Sequence, residues 1–287
     1  MLLSEYIKNA SASLLGLYPG HEARAIVNAL CEDLIGVKRF EIAAFPGREL
    51  SPAESAKLDD AMARLQRGEP LQYVTSLAWF CGRPFKVGPS VLIPRPETSE
   101  LVDAAVSFAA ASPAKVLDLC TGSGCIAWTF ALEVPGSHVT AVDISPDALE
   151  VASSQEFLSP SPLFEAPRFV EADILNPACD ALFPDPFDII LSNPPYIPEM
   201  RKAEMHPNVL DYEPGLALFV PDSDPMVFCR AVARISLLAL RDGGRGWIEI
   251  DDELGDASAA VFEAAGFSQV KVLKDFFGKE RMVSYCK

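Results

Sequence analysis

Apolar positions recur at helical spacing through residues 1 to about 70, with breaks near Tyr18-Pro19-Gly20, Gly36 and Phe45-Pro46-Gly47. The pattern predicts a small helical bundle over 1–70. Ser51-Pro52-Ala53-Glu54 marks the start of its last helix, with a serine N-cap, a proline in the first turn and the carboxylate of a capping box, and Gly68 marks its end. From Pro70 to Pro96 the chain turns strand-like and aromatic, through Tyr73, Trp79, Phe80, Phe85 and Val87, with turn signals at Gly82 and Gly88-Pro89. A β-hairpin linker over 71–96 fits that stretch. From Thr98 onward short apolar runs alternate with helical ones. Strands are expected at 115–120, 138–143, 168–171, 187–192 and 246–250. Helices are expected from Cys125, from Ser145-Pro146, and over 223–240 and 257–265. Two last apolar stretches flank Phe276-Phe277-Gly278-Lys279-Glu280 and suit a hairpin. Such alternation predicts an α/β fold with a parallel sheet over 97–287.

Composition narrows the class. A chain of 287 residues, 49% hydrophobic, can bury a sizeable core. Its seven cysteines are odd in number and scattered, with no CxxC pair and no zinc-like Cys/His spacing. They read as free thiols in a reducing compartment, and no metal is expected. With no apolar run long enough to span a bilayer and no leader-like start, a cytoplasmic protein without membrane contact is expected. The net charge of −16 is uneven: residues 1–94 hold ten basic and ten acidic residues, and the remainder holds fourteen basic against thirty acidic. Affinity for nucleic acid depends on neutralising phosphates, so the acidic part argues for a protein partner and against direct nucleic-acid contact.

Three motifs fall at expected strand ends. After 115–120, Thr121-Gly122-Ser123-Gly124 opens a helix, and glycines there let backbone approach a ligand closely. The strand at 138–143 ends in Asp143, a carboxylate suited to ribose hydroxyls. This layout serves a dinucleotide or S-adenosylmethionine equally, and the absence of a Gly-x-x-x-x-Gly-Lys-Ser/Thr run argues against a P-loop nucleotidase. After 187–192 comes Asn193-Pro194-Pro195-Tyr196. Prolines fix φ and remove backbone donors, leaving a stiff turn with an amide, bare carbonyls and an aromatic ring, suited to holding a planar NH2 group beside a methyl donor.

Taken in order, Leu92-Ile93-Pro94-Arg95-Pro96-Glu97-Thr98, Asp118 to Gly124, Ala141-Val142-Asp143, Ser192-Asn193-Pro194-Pro195-Tyr196-Ile197 and Tyr212-Glu213-Pro214 resemble the HemK or PrmC family of protein-(glutamine-N5) methyltransferases. The resemblance covers nearly the whole chain. It implies a class I S-adenosylmethionine-dependent methyltransferase fold, a Rossmann-like seven-stranded sheet, with the glutamine of the Gly-Gly-Gln motif in peptide chain release factors as substrate. Carried over by position, Cys120, Thr121, Gly122, Ser123 and Gly124 would line the methionine part of the cofactor, Asp143 would hold its ribose, and Ile174 would flank its adenine. Asn193, Pro194, Pro195 and Tyr196 would hold the glutamine amide, and Asn193 would also border the cofactor. Cys120 stands where the family has the first glycine of Gly-x-Gly-x-Gly, Ser76 where glycine is common, and Phe276 where tyrosine is frequent.

Asn193, Pro194 and Tyr196 are expected to carry catalysis. The Asn193 side-chain oxygen and the Pro194 carbonyl would accept hydrogen bonds from the substrate NH2, and Tyr196 would offer its ring to the amide plane or simply pack in the core. Arg95 either meets the carbonyls of an extended peptide or forms a structural ion pair, and Glu213 either anchors the loop or touches substrate. The bundle has no catalytic constellation of its own and is expected to dock the release factor, with the protein acting as a monomer. The rival readings are an N6-adenine methyltransferase, a cofactor-binding interaction module without turnover, and, more weakly, a nicotinamide dehydrogenase.

Overall fold

The computed structural model describes residues 1–45, 47–110 and 112–287. The expected break at Pro46 therefore lies partly outside the described residues. Helices α1 (Leu3–Ser13), α2 (Gly20–Ile35), α3 (Arg39–Ala44), α4 (Pro52–Leu65) and α5 (Leu71–Thr75) open the chain. The α4 start matches its sequence signature: Ser51 Oγ accepts from Glu54 N at 3.2 Å, and Glu54 Oε2 accepts from Ser51 N at 2.8 Å. Leu3, Ile7, Leu14, Leu30, Leu58 and Leu65 bury the facing stripes of these helices in one cluster.

Residues 71–75 are helical rather than strand-like. Ser76 ends α5 in the left-handed region at φ 57°, and Arg64 at the end of α4 donates to the carbonyls of Tyr73 and Val74 at 3.0 and 3.1 Å. Val74 is buried in the bundle core. These contacts override the β-propensity of Tyr-Val-Thr and draw the first linker residues into the bundle. The strands of the linker are β1 (Leu77–Phe80) and β2 (Arg83–Lys86). Cys81 and Gly82 join them with φ of 48° and 71°, the mirror-image turn that matches strand twist.

Two compact units result: Met1–Leu77 with His206–Tyr212, and Ala78–Met205 with Glu213–Lys287. The first unit runs past residue 70 to Leu77 and is not contiguous in sequence. Within it, Tyr212 Oη donates to the Arg67 carbonyl at 2.8 Å, and the Tyr18 and His206 rings stack at 6.3 Å.

The second unit continues with α6 (Thr98–Ala109), β3 (Lys115–Leu119), α7 (Cys125–Glu133), β4 (His138–Asp143), α8 (Pro146–Ser153), β5 (Arg168–Glu171), β6 (Phe187–Ser192) and β7 (Ile197–Pro198). After α9 (Pro207–Leu210), which belongs to the first unit, come β8 (Phe219–Val220), α10 (Val227–Ala239), β9 (Leu240–Glu249), α11 (Gly255–Ala264), β10 (Ser268–Lys274) and β11 (Glu280–Cys286). A seven-stranded sheet runs β10-β11-β9-β6-β3-β4-β5. Its β5, β4, β3, β6 and β9 are mutually parallel, while β11 is antiparallel to both neighbours. Alternate residues feed opposite faces, as the period of a strand requires: Leu117, Ile190 and Ile248 join one core cluster, and Val116, Ile189 and Trp247 the other. The chain leaves β3 toward β4 on one side and returns with β6 on the other. This is a topological switch point, whose crevice lies beyond the carboxyl ends of the strands.

Candidate active site

The turn from β3 into α7 is built on left-handed residues. Cys120, Gly122 and Gly124 have φ of 61°, 54° and 79°. Gly124 needs its missing side chain for packing as well, because a Cβ there would stand 3.0 Å from Trp128 and 3.1 Å from Ala152. Where the resemblance leads one to expect a glycine, the backbone at Cys120 has a conformation that costs an L-residue roughly 1–2 kcal/mol, and Cys120 adopts it regardless. The same holds for Ser76. Burial pushes the Cys120 thiol well above its ordinary range, so it is a poor nucleophile.

Backbone amides and carboxylates hold this turn to β4. Thr121 N donates to the Val142 carbonyl at 2.9 Å, Gly122 N to Asp143 Oδ2 at 2.8 Å, and Ser145 N to Asp143 Oδ1 at 3.0 Å. Asp143 thus ties the glycine turn to the start of α8, and burial raises its carboxyl against those hydrogen bonds. Asp118 accepts from Thr121 Oγ1 at 2.6 Å. It is fully buried, and desolvation pushes it up to about 7.

Beside this turn lies a cavity of about 370 Å³, within the usual range for small-molecule sites. Of the residues expected from sequence, it brings together Cys120, Thr121, Gly122, Ser123, Asp143, Ile174, Asn193 and Pro195. Gly124 does not line it; its work is the close packing of α7. Pro194 and Tyr196 line a smaller cavity that shares Pro195 and Phe228 with the large one. Sequence reasoning missed Phe228, which gives the large cavity an aromatic wall, and Ser90 to Leu92 and Thr98, which also border it.

The Asn193 to Tyr196 turn is fixed from behind. Ser192 Oγ donates to the Leu119 carbonyl at 2.9 Å, joining the ends of β6 and β3. Asn193 Nδ2 donates to Thr98 Oγ1 at 3.2 Å, Thr98 Oγ1 to Glu249 Oε2 at 2.7 Å, and Tyr196 Oη to Glu249 Oε1 at 3.0 Å. Burial, then the charge of Glu249, holds the Tyr196 phenol well above its usual range, so it stays protonated. Glu249 is the last residue of β9, and its signal in the sequence is a lone acid in the apolar run Trp247-Ile248-Glu249-Ile250. Buried charges are rare unless paired or hydrogen-bonded.

Arg95 and Glu213 pair with each other. Glu213 Oε1 accepts from Arg95 Nη2 at 2.6 Å and Oε2 from Ile93 N at 3.1 Å. The Glu213 side chain is 1% exposed, so it has almost no surface to offer a substrate. Among the described residues, no group of His, Cys, Asp and Glu is arranged to hold a metal ion, and no helix is long and apolar enough to cross a membrane.

Residues 5–75 match the PrmC N-terminal domain family and residues 99–209 the methyltransferase small domain family. The release factor glutamine methyltransferase of Bacteroides thetaiotaomicron is 40% identical over 284 residues, 98% of each chain. That of Flavobacterium psychrophilum is 33% identical over 287 residues, 99% of this chain and 98% of the relative. A methyltransferase from Pyrococcus furiosus superposes with a TM-score of 0.51 at 16% identity, covering 80% of this chain and 98% of that one, and shares the fold. With the methyltransferase small domain match over 99–209, the seven-stranded sheet is that of a class I methyltransferase fold. With end-to-end similarity to such relatives, the chain belongs to the release factor glutamine methyltransferase family.

Proposed function

We propose that this protein transfers a methyl group from S-adenosylmethionine to the side-chain nitrogen of the glutamine in the Gly-Gly-Gln motif of peptide chain release factors. Full-length similarity to named release factor glutamine methyltransferases supports the substrate. The observation that carries the chemistry is Asn193 at the wall of the large cavity, with its NH2 engaged behind it and its Oδ1 accepting no hydrogen bond among the described residues.

The cavity suits the cofactor. A Cβ at Gly122 would meet nothing within 4 Å, so that backbone has open space beside it. Each Asp143 oxygen accepts one amide and keeps acceptor capacity for a ribose hydroxyl. Ile174 and Phe228 offer apolar walls to a purine. When bound, S-adenosylmethionine supplies an electrophilic methyl group. The residues of this chain then have an orienting task. A carboxamide nitrogen is a weak nucleophile because its lone pair is delocalised, so Asn193 Oδ1 and the Pro194 carbonyl accept from its NH2 and aim it. Pro194 and Pro195 have no N–H to misdirect the amide. Such positioning is worth roughly 7–11 kcal/mol when it sets a near-attack geometry. The nitrogen becomes strongly acidic once alkylated, so water suffices as proton acceptor and Tyr196 is not required as a base.

The reading implies a cytoplasmic enzyme with a protein partner, and one chain suffices because a single unit furnishes every residue lining the cavity. The test is peptide mass spectrometry of a release factor incubated with this protein and S-adenosylmethionine, beside the same factor with the Gly-Gly-Gln glutamine replaced. One methyl group confined to that glutamine is the expected result. Methylation elsewhere, or of an oligonucleotide instead, would overturn it.

A further inference from the structure

An asparagine amide is nearly symmetric in shape, and half a turn about its last bond exchanges acceptor for donor. What decides the matter at Asn193 lies behind it. Glu249 is buried, and as a carboxylate it only accepts. Thr98 Oγ1 carries one proton and donates it to Glu249 Oε2 at 2.7 Å. Toward its other neighbour that oxygen can only accept, and it receives Asn193 Nδ2 at 3.2 Å. Tyr196 donates to the second carboxylate oxygen, so it does not compete for the first.

We propose that Glu249 and Thr98 are positioning residues that set the hydrogen-bond polarity of the substrate-binding turn. The buried carboxylate fixes the threonine proton, the threonine fixes the asparagine amide, and Asn193 Oδ1 is left to receive the substrate NH2. The proposal rests on the functional reading above and assigns roles to two residues that do not themselves donate to or accept from the reacting nitrogen. A reversed Asn193 would set its oxygen against a hydroxyl oxygen whose proton is already committed, and would present a donor to a substrate group that is also a donor.

The relay has a defined response to pH. Burial raises the Glu249 carboxyl, with Glu97 ahead of α6 acting in the same sense and Thr98, Tyr196 and Arg281 of β11 acting against it. Once protonated, Glu249 is a donor too, the Thr98 proton is freed, and the chain of bonds can run backwards. Lowering the pH through the Glu249 titration therefore lowers kcat at saturating cofactor. In Glu249→Gln that acid limb is absent.

The test uses Thr98→Val, Thr98→Ser and Glu249→Gln in the full-length protein, with two readouts. Thr98→Val is expected to lower kcat on the order of 100-fold, the effect of misplacing a reactant, while affinity for S-adenosylhomocysteine is kept. Thr98→Ser, which retains the hydroxyl, recovers most of the loss. Independently of turnover, the Asn193 side-chain NH2 resonance in 15N-labelled protein, assigned by its disappearance in Asn193→Ala, shifts in Thr98→Val. In the wild type it follows pH, and in Glu249→Gln it does not. An Asn193 resonance unmoved by Thr98→Val, or a Thr98→Val enzyme with wild-type kcat, overturns the relay. If the wild-type protein leaves release factors unmethylated, the functional reading fails by itself, and the Asn193 resonance still decides the relay.

Discussion

The N-terminal unit buries leucines, valines, alanines and tyrosines, whereas every buried Ser, Thr, Gln, Asp and Glu among the described residues lies between Thr98 and Ser284. Asp118, Thr121, Ser192, Glu249 and Asp251 gather at the carboxyl ends of neighbouring strands of the methyltransferase unit. A buried polar group left without a partner costs about 1–3 kcal/mol, so burying many of them is sensible only where most are answered and where orientation matters; in this unit Asp118 Oδ1 and Thr129 Oγ1 are buried with no hydrogen-bond partner among the described residues. The bundle asks of its core only that helices pack. The sheet asks of its strand ends that particular oxygens and nitrogens point in particular directions.

The largest effect expected from that contrast is on catalysis. Asn193→Ala removes the only side-chain amide on the cavity wall among the described residues, and the rate of methyl transfer should fall by on the order of 100-fold or more with affinity for S-adenosylhomocysteine retained. Calorimetric titration beside a methylation assay checks it, and an active Asn193→Ala protein would sink the proposed mechanism. Next comes Leu58→Ala in the bundle, where a fully buried leucine leaves a cavity worth about 2–5 kcal/mol of that unit's stability. Because the cavity lining belongs to the other unit, cofactor affinity should not change. A matching drop in affinity would break the separation drawn between the units.

Asp143→Ala should do the opposite. It removes the carboxylate that holds Gly122 N and Ser145 N and that is proposed to hold the ribose. Hydrogen bonds to charged groups are worth about 1.5–3 kcal/mol each, so cofactor affinity should weaken roughly 10- to 100-fold, while unfolding of the bundle is unaffected. Unchanged affinity would remove Asp143 from the site.

Much of this was legible in the chain. The strands β4, β5 and β6 lie where their β-branched and apolar runs put them, and Asp143 and Asn193 follow directly as strand-end residues. Short-range pattern was insufficient where tertiary contact decides. Arg64 closing the carbonyls of α5 makes a helix of a segment whose composition favours a strand, and His206–Tyr212 joins the first unit from a distant part of the sequence. Thr98 and Glu249 were legible as residues but not as partners. The bond between them links positions 151 apart in the chain, and only the sheet order brings the end of β9 beside the start of α6 and the end of β6.

The smallest effect sharpens the comparison most, because each unit holds a non-glycine residue at positive φ that glycine could replace, Ser76 in the first and Cys120 in the second. Ser76 and Cys120 both sit at positive φ, at positions where the family resemblance leads one to expect glycine. Glycine should relieve about 1–2 kcal/mol of steric strain at either position, less about 0.5–1 kcal/mol for the added freedom of the unfolded chain. At Ser76 the side chain is exposed and nothing else is lost, so Ser76→Gly should stabilise its unit by about 0.5–1 kcal/mol. At Cys120 the thiol is packed against the core cluster of the sheet, and the packing lost should cancel most of the gain. Cys120→Gly should therefore be close to neutral in stability while widening the cavity wall that Cys120 forms. Denaturant unfolding of both variants decides it. Equal stabilisation would mean that the Cys120 thiol contributes no packing, and a destabilised Ser76→Gly protein would mean that its left-handed backbone carries no strain to relieve.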